Sequence, residues 1–242
     1  MKNKEPGNAP EKKENILFNI GFNIVIPSVI LTRFSSEEFL GPLPGVITAI
    51  SFPLFYGLYD LVTSKKWNFF SIIGLINTSL TGSFSIMQLN AFWFAVKEAS
   101  VPAIFGIATV ASLKSKYPLI KKILLNPTII NIALIEEKVA SLQDGDFKFN
   151  KLLVNGTFLI ALSFVTSSIL NFTLAIYMLK SEPGSVLFNE ELGKMTAMSF
   201  IVITVPSITI LMLSLWYLVS GIKQLTGLNL AQIIHEKHKI QA

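Results

Sequence analysis

The chain has 242 residues, 51% of them hydrophobic and 14% charged, with a mean hydropathy of +0.58. A large soluble helical domain would need polar faces on its long helices, and the apolar stretches here lack them. The net charge of +5 does not argue for nucleic-acid binding, because the basic residues flank apolar runs. The absence of cysteine excludes disulfides, thiolate chemistry and cysteine-based metal sites.

Residues 1–15 are polar and broken by Pro6, Gly7 and Pro10, which predicts a disordered tail. Six apolar runs follow: Ile16 to Phe34, Pro44 to Val62, Phe69 to Leu89, Phe92 to Leu113, Leu153 to Leu179 and Met195 to Val219. Each is long enough to cross a hydrocarbon core of about 30 Å at about 1.5 Å per residue. Helices are the form such runs take in lipid, and the ten-residue alternation of a transmembrane barrel is missing. The first run exceeds a signal-peptide core and leads into Thr32-Arg33-Phe34 without a small-x-small cleavage site, so it reads as a retained helix.

Sixteen of the twenty basic residues fall before the first run, after the second, in the long gap after the fourth, and after the sixth. The remaining gaps and the run ends beside them hold Arg33, Lys180 and Lys194 in company with five glutamates, and Lys97 lies well inside a run. The positive-inside bias therefore predicts six crossings with both termini cytoplasmic. Trp67, Tyr117, Trp216 and Tyr217 fall at predicted inner ends, Trp93 and Tyr177 at outer ends, as interfacial aromatics should. The fold expected is an all-α membrane protein, a bundle of six transmembrane helices over residues 16–225, with a cytoplasmic tail over 226–242.

Proline interrupts four runs, at Pro27, Pro53, Pro102 and Pro206, and each removes a backbone hydrogen bond and should bend its helix. The third run places Ser71, Gly74, Thr78, Gly82 and Ser85 on one face, with Asn77 and Thr81 beside it; the fifth does the same with Gly156, Ser163, Ser167 and Asn171. Such faces serve close packing or line a polar path. The long gap, 114–150, carries a helix expected over about 128–142 with an N-cap at Asn126-Pro127, ended by Asp144-Gly145-Asp146. That amphipathic helix lies on the inner membrane surface, where anionic lipid headgroups would be its partners, or docks against the bundle.

The costliest polar feature is Lys97-Glu98, five or six residues inside the fourth run, with Trp93 one turn before and Pro102 one turn after. Consecutive residues diverge by about 100° on a helix, so the pair need not bond to each other. Arg33, Gln88, Asn171 and Tyr177 are partners at similar depth. A candidate polar pocket thus comprises Lys97, Glu98, Arg33 and Asn171, holding a small anion or exchanging a proton; the competing reading is a satisfied structural pair or a lysine snorkelling outward. Asp60 lies near Lys65 and Lys66, where an inner salt bridge accounts for it. Asp60 and Glu98 lie toward opposite faces of the bilayer, which argues against an intramembrane aspartyl protease. His235 and His238 lie in the tail without clustered ligands, and no metalloprotease helix, nucleophile elbow or phosphate loop occurs. No enzyme activity, cofactor or metal is expected.

The segments Gly57-Leu58-Tyr59-Asp60-Leu61, Lys66-Trp67-Asn68-Phe69-Phe70-Ser71, Leu80-Thr81-Gly82, Phe92-Trp93-Phe94-Ala95-Val96-Lys97-Glu98-Ala99 and Tyr117-Pro118-Leu119 resemble an uncharacterised family of bacterial multi-pass inner-membrane proteins. The resemblance covers about residues 16 to 130, with Ser83 where that pattern usually has a second glycine. More distantly, a small-residue third helix followed by an aromatic, lysine-bearing fourth is similar to the intracellular septation protein A family. That similarity implies an envelope or division-associated membrane scaffold in the bacterial inner membrane, with a homo-oligomer or envelope proteins as partners; the alternative is a small-solute or ion permease using Lys97 and Glu98.

Overall fold

A computed structural model describes residues 16–63, 69–114 and 130–234. The expected N-terminal tail, Lys65, Lys66, Trp67, Tyr117, the Asn126-Pro127 cap and both histidines lie outside the described residues. Among those described, the fold is helical, with one isolated antiparallel bridge between Ile130 and Ile234.

The elements in chain order are α1 (16–34), α2 (Pro42–Thr63), α3 (Phe69–Ile86), α4 (Ala91–Ala111), α5 (Ile132–Ala140), α6 (Gly145–Met178), α7 (Val186–Thr226) and α8 (Leu230–Ile233). Four stretches are long and apolar enough to cross a membrane: Pro42–Asp60, Ala91–Lys114, Gly145–Met178 and Val186–Thr226. Two shorter apolar helices, Phe18–Phe34 and Ile72–Ile86, accompany them. Only 11 to 28% of each spanning window is buried within the protein, so most of this apolar surface faces outward, as contact with lipid requires.

Helices α1 and α7 are not uniformly α. Within α1, Gly21–Val25 and Ile30–Phe34 are π turns, and within α7 so is Phe200–Thr204. A proline ring collides with the carbonyl four residues before it, and widening that turn relieves the collision. The carbonyl opposed by Pro27 belongs to Asn23 and that opposed by Pro206 to Val202, each at the centre of its π turn. Pro53 and Pro102, by contrast, sit in helix that stays α throughout.

The described chain divides into two compact units. The first holds residues up to Lys97 together with Ala175–Met198, and the second holds Glu98–Leu174 and the chain from Ser199 onward. In the first unit α1 packs on α2 through Phe22, whose ring stacks on Tyr56 at 5.8 Å. Gly82 lets α3 lie against Ile50 of α2, because any Cβ there would overlap the isoleucine terminus; Gly74, named with it from the sequence, meets nothing within 4 Å. Gly193 of α7 sits against α1, where a Cβ would lie 2.9 Å from Leu31 Cβ and 3.0 Å from the Ser28 carbonyl oxygen. Phe94 of α4 is fully buried, meeting Phe84 and Phe188 edge-on at 5.9 and 5.5 Å.

In the second unit a core joins α5, α6, α7 and α8. Ile135 and Val139 of α5 pack with Phe149, Leu153 and Ile160 of α6, with Leu218 and Ile222 of α7, and with Leu228 and Ile233. The helix in the long gap is therefore docked against other helices, with Glu136, Glu137 and Lys138 on its exposed face. Its N-cap is Asn131, whose side chain accepts from Leu134 N–H at 3.2 Å, and the Asn131 N–H itself donates to the Ile233 carbonyl at 2.8 Å. The chain after residue 225, expected as a tail, folds onto this core at its start: Gly227, at φ 72°, turns it, Asn229 and Gln232 form a capping box, and Ile233 is fully buried.

Candidate functional site

Lys97 is the buried lysine around which a site would form. It lies on the face of α4 that also buries Phe94 and Ala95, and it is 5% exposed. Its Nζ donates to Thr81 Oγ1 of α3 at 2.5 Å. The Thr81 hydroxyl donates its own proton to the Asn77 carbonyl at 3.0 Å, leaving an oxygen lone pair for the lysine. Lys97 and the Asn77 main chain are thus linked through Thr81.

Helix geometry accounts for this pairing. α3 and α4 are joined by residues 87–90, with Gln88 in the left-handed region at φ 52° and the Leu89 N–H donating to the Phe84 carbonyl at 2.9 Å, a Schellman-type close. In such an antiparallel hairpin, residues equidistant from the turn lie at one level. Thr81 and Lys97 each stand eight residues from Leu89, and Phe84 and Phe94 each stand five. Sequence reasoning placed Thr81 beside the small-residue face without pairing it to Lys97; counting outward from the turn would have found the partner.

The other candidates are distributed over the two units. Arg33 is exposed at the end of α1, and Trp93 is half exposed near the start of α4 with its ring 5.8 Å from Phe92. Glu98 is half-buried and Asp60 likewise, near the end of α2. Asn171 is half-buried on α6 and donates to the Ser167 carbonyl at 2.8 Å, within its own helix. Arg33 and Lys97 belong to the first unit, and Glu98 and Asn171 to the second.

Most hydroxyls of the apolar helices are spent locally. In α3, Ser79, Thr81, Ser83 and Ser85 donate to the carbonyls four residues earlier, as do Thr109, Thr157, Thr209 and Ser214, at 2.7 to 3.0 Å. Two further serines of the second unit bond between helices: Ser168 Oγ to the Ala99 carbonyl at 2.9 Å and Ser163 Oγ to the Ser207 carbonyl at 2.8 Å. The first lies beside the Glu98 carbonyl, which Pro102 deprives of its helical donor.

Ser28 and Ser207 depart from this habit: each Oγ is buried with no hydrogen-bond partner. Each follows a proline that is preceded by a π turn, and the carbonyls they would use, at Ile24 and Ile203, lie inside those turns. The shifted register of a π turn does not present that carbonyl to the hydroxyl.

A second polar feature lies in the second unit, a groove of about 320 Å³ between α6 and α7 lined by Lys148, Lys151, Asn155, Tyr217 and Gln224 over Leu152 and Leu225. No protein-family model, no curated protein and no solved structure matches this chain.

Proposed function

We propose that this chain is a multi-pass protein of the bacterial cytoplasmic membrane, crossing it six times with both termini inside, and that it works as an envelope or division-associated scaffold without catalytic activity. The observation that carries the reading is how the polar side chains of the apolar helices are used. Most hydroxyls, Ser28 and Ser207 apart, bond their own backbone or a neighbouring helix, and Lys97 bonds Thr81 across the α3–α4 hairpin. Such contacts hold a bundle together. The positive-inside distribution supports the orientation, and the resemblance to the inner-membrane and septation protein A families supports the setting. Partners would be lipid and either further copies or envelope proteins.

Small-solute or ion permeation is the second reading. It is favoured by the burial of Lys97 inside an apolar helix and by the π turns that interrupt α1 and α7, since broken helices line ion and substrate paths in transporters. Reconstituted protein separates the two. On the scaffold reading, Lys97→Met and Glu98→Gln remain folded, no flux is seen across proteoliposomes, and in-membrane crosslinking retains the same partners as the unaltered protein. A solute flux that both substitutions abolish in folded protein would refute the scaffold and establish the permease.

A further inference from the structure

The groove between α6 and α7 is continuous with an apolar track of complementary length. Lys148, Lys151 and Asn155 follow one another at three- and four-residue steps along α6, and the same face continues through Phe158, Leu162, Val165 and Ile169. Those four apolar side chains are 47 to 59% exposed. From Phe158 to Ile169 the helix rises about 17 Å, close to the half-thickness of a hydrocarbon core, about 15 Å. A single helical face therefore carries a cationic polar end and then a leaflet's depth of open apolar surface.

The polar end has a defined shape. A Cβ at Gly221 of α7 would overlap Leu152, so glycine there lets Leu152 sink between the helices and form the floor. Asn155 Nδ2 donates to Tyr217 Oη at 3.1 Å, which leaves the phenol proton to donate onward. Gln224 adds an amide on the opposite wall. Lys148 Nζ makes a contact of 3.4 Å to the Gln143 carbonyl, which a phosphate oxygen would readily replace. Trp216, 69% exposed beside Tyr217, suits the headgroup level.

We infer that Lys148, Lys151, Asn155 and Tyr217 form the headgroup seat of an anionic phospholipid whose acyl chain lies along Phe158, Leu162, Val165 and Ile169. This rests on the membrane reading above but holds equally for a scaffold or a permease. A soluble phosphate would use the lysines but has nothing to place on the apolar track, so the occupant is a lipid.

The test uses full-length protein purified in neutral detergent, with retained phosphatidylglycerol, phosphatidylcholine or inorganic phosphate measured by native mass spectrometry. Phosphatidylglycerol should be retained about 30-fold better than phosphatidylcholine, corresponding to about 2 kcal/mol, one for each lysine. Lys148→Gln or Lys151→Gln alone should each reduce that preference about 5-fold, the pair should abolish it, and Lys148→Arg with Lys151→Arg should retain it. Equal retention of the two lipids, or a preference unaltered by the glutamine variants in monodisperse protein, would overturn the seat while leaving the membrane reading intact. Displacement of phosphatidylglycerol by equimolar inorganic phosphate would overturn the lipid assignment in favour of a soluble anion. Protein that stays soluble and folded without detergent would overturn the membrane reading itself.

Discussion

The Lys97–Thr81 bond can be isolated by a double-mutant cycle. Thr81→Val is nearly isosteric and removes the hydroxyl that accepts from Lys97 Nζ across the α3–α4 hairpin. With Lys97 5% exposed, the lost acceptor is poorly replaced by water, and a bond to a lysine is worth about 1.5–3 kcal/mol in proteins generally, though measured interhelical bonds in bilayers reach only about 1.7. Thr81→Val should therefore destabilise the protein by about 1–2 kcal/mol. Lys97→Met removes the polar nitrogen together with its need for a partner, and should leave stability within about 1 kcal/mol or raise it. In the Lys97→Met background Thr81→Val should cost less than about 0.5 kcal/mol, giving a coupling of about 0.5–2 kcal/mol. The assay is reversible unfolding in mixed micelles, titrated with dodecyl sulfate and followed by circular dichroism, with Thr81→Ser as the variant that keeps the hydroxyl. Strict additivity of the two substitutions would refute the bond and with it the hairpin register that pairs these residues.

Three further expectations follow from packing. Alanine at Gly145 would drive its Cβ into the Val139 carbonyl, a backbone atom that cannot step aside, and should cost about 1–3 kcal/mol, whereas Gly74→Ala meets open space and should gain up to about 1 kcal/mol from helix propensity; thermal unfolding in detergent compares them. Ser28→Ala and Ser207→Ala each delete a buried hydroxyl without a partner and should be neutral or stabilising by about 1 kcal/mol, while Ser163→Ala loses its bond to the Ser207 carbonyl and should cost about 0.5–1.5 kcal/mol on the same measurement. Asn229→Ala removes the side-chain arm of the capping box on α8, the acceptor of the Gln232 N–H, and should cost about 0.5–2 kcal/mol, seen as faster amide hydrogen exchange from Leu230 to Ile234 and in Asn131, whose N–H is bonded to the Ile233 carbonyl.

The apolar helices were legible from the residues because a span in lipid must be long, apolar and internally hydrogen-bonded, so its signal is carried locally. Hydropathy marks where lipid contact begins, however, and not where the helix begins. The fifth run starts at Leu153, yet α6 starts at Gly145, because its two polar turns bury Phe149 against the second unit's core. The sixth run starts at Met195, yet α7 starts at Val186, where Phe188, Asn189 and Leu192 are buried and Asn189 donates to the Pro42 carbonyl at 2.7 Å. Periodicity along α5 left its contacts open, and burial of Ile135 and Val139 shows that it docks on the second unit's core.

Composition and the spacing of charge determined by themselves that this chain is built from helices apolar enough to enter a bilayer, and which residues inside them are anomalous. Tertiary structure alone decided what those residues meet: Thr81 for Lys97, Ile50 for Gly82, the Ser207 carbonyl for Ser163. The reason is physical. The free energy of placing a side chain in lipid depends on that residue and its depth, whereas a buried polar group or a missing Cβ gains its meaning from whichever helix the bundle brings alongside.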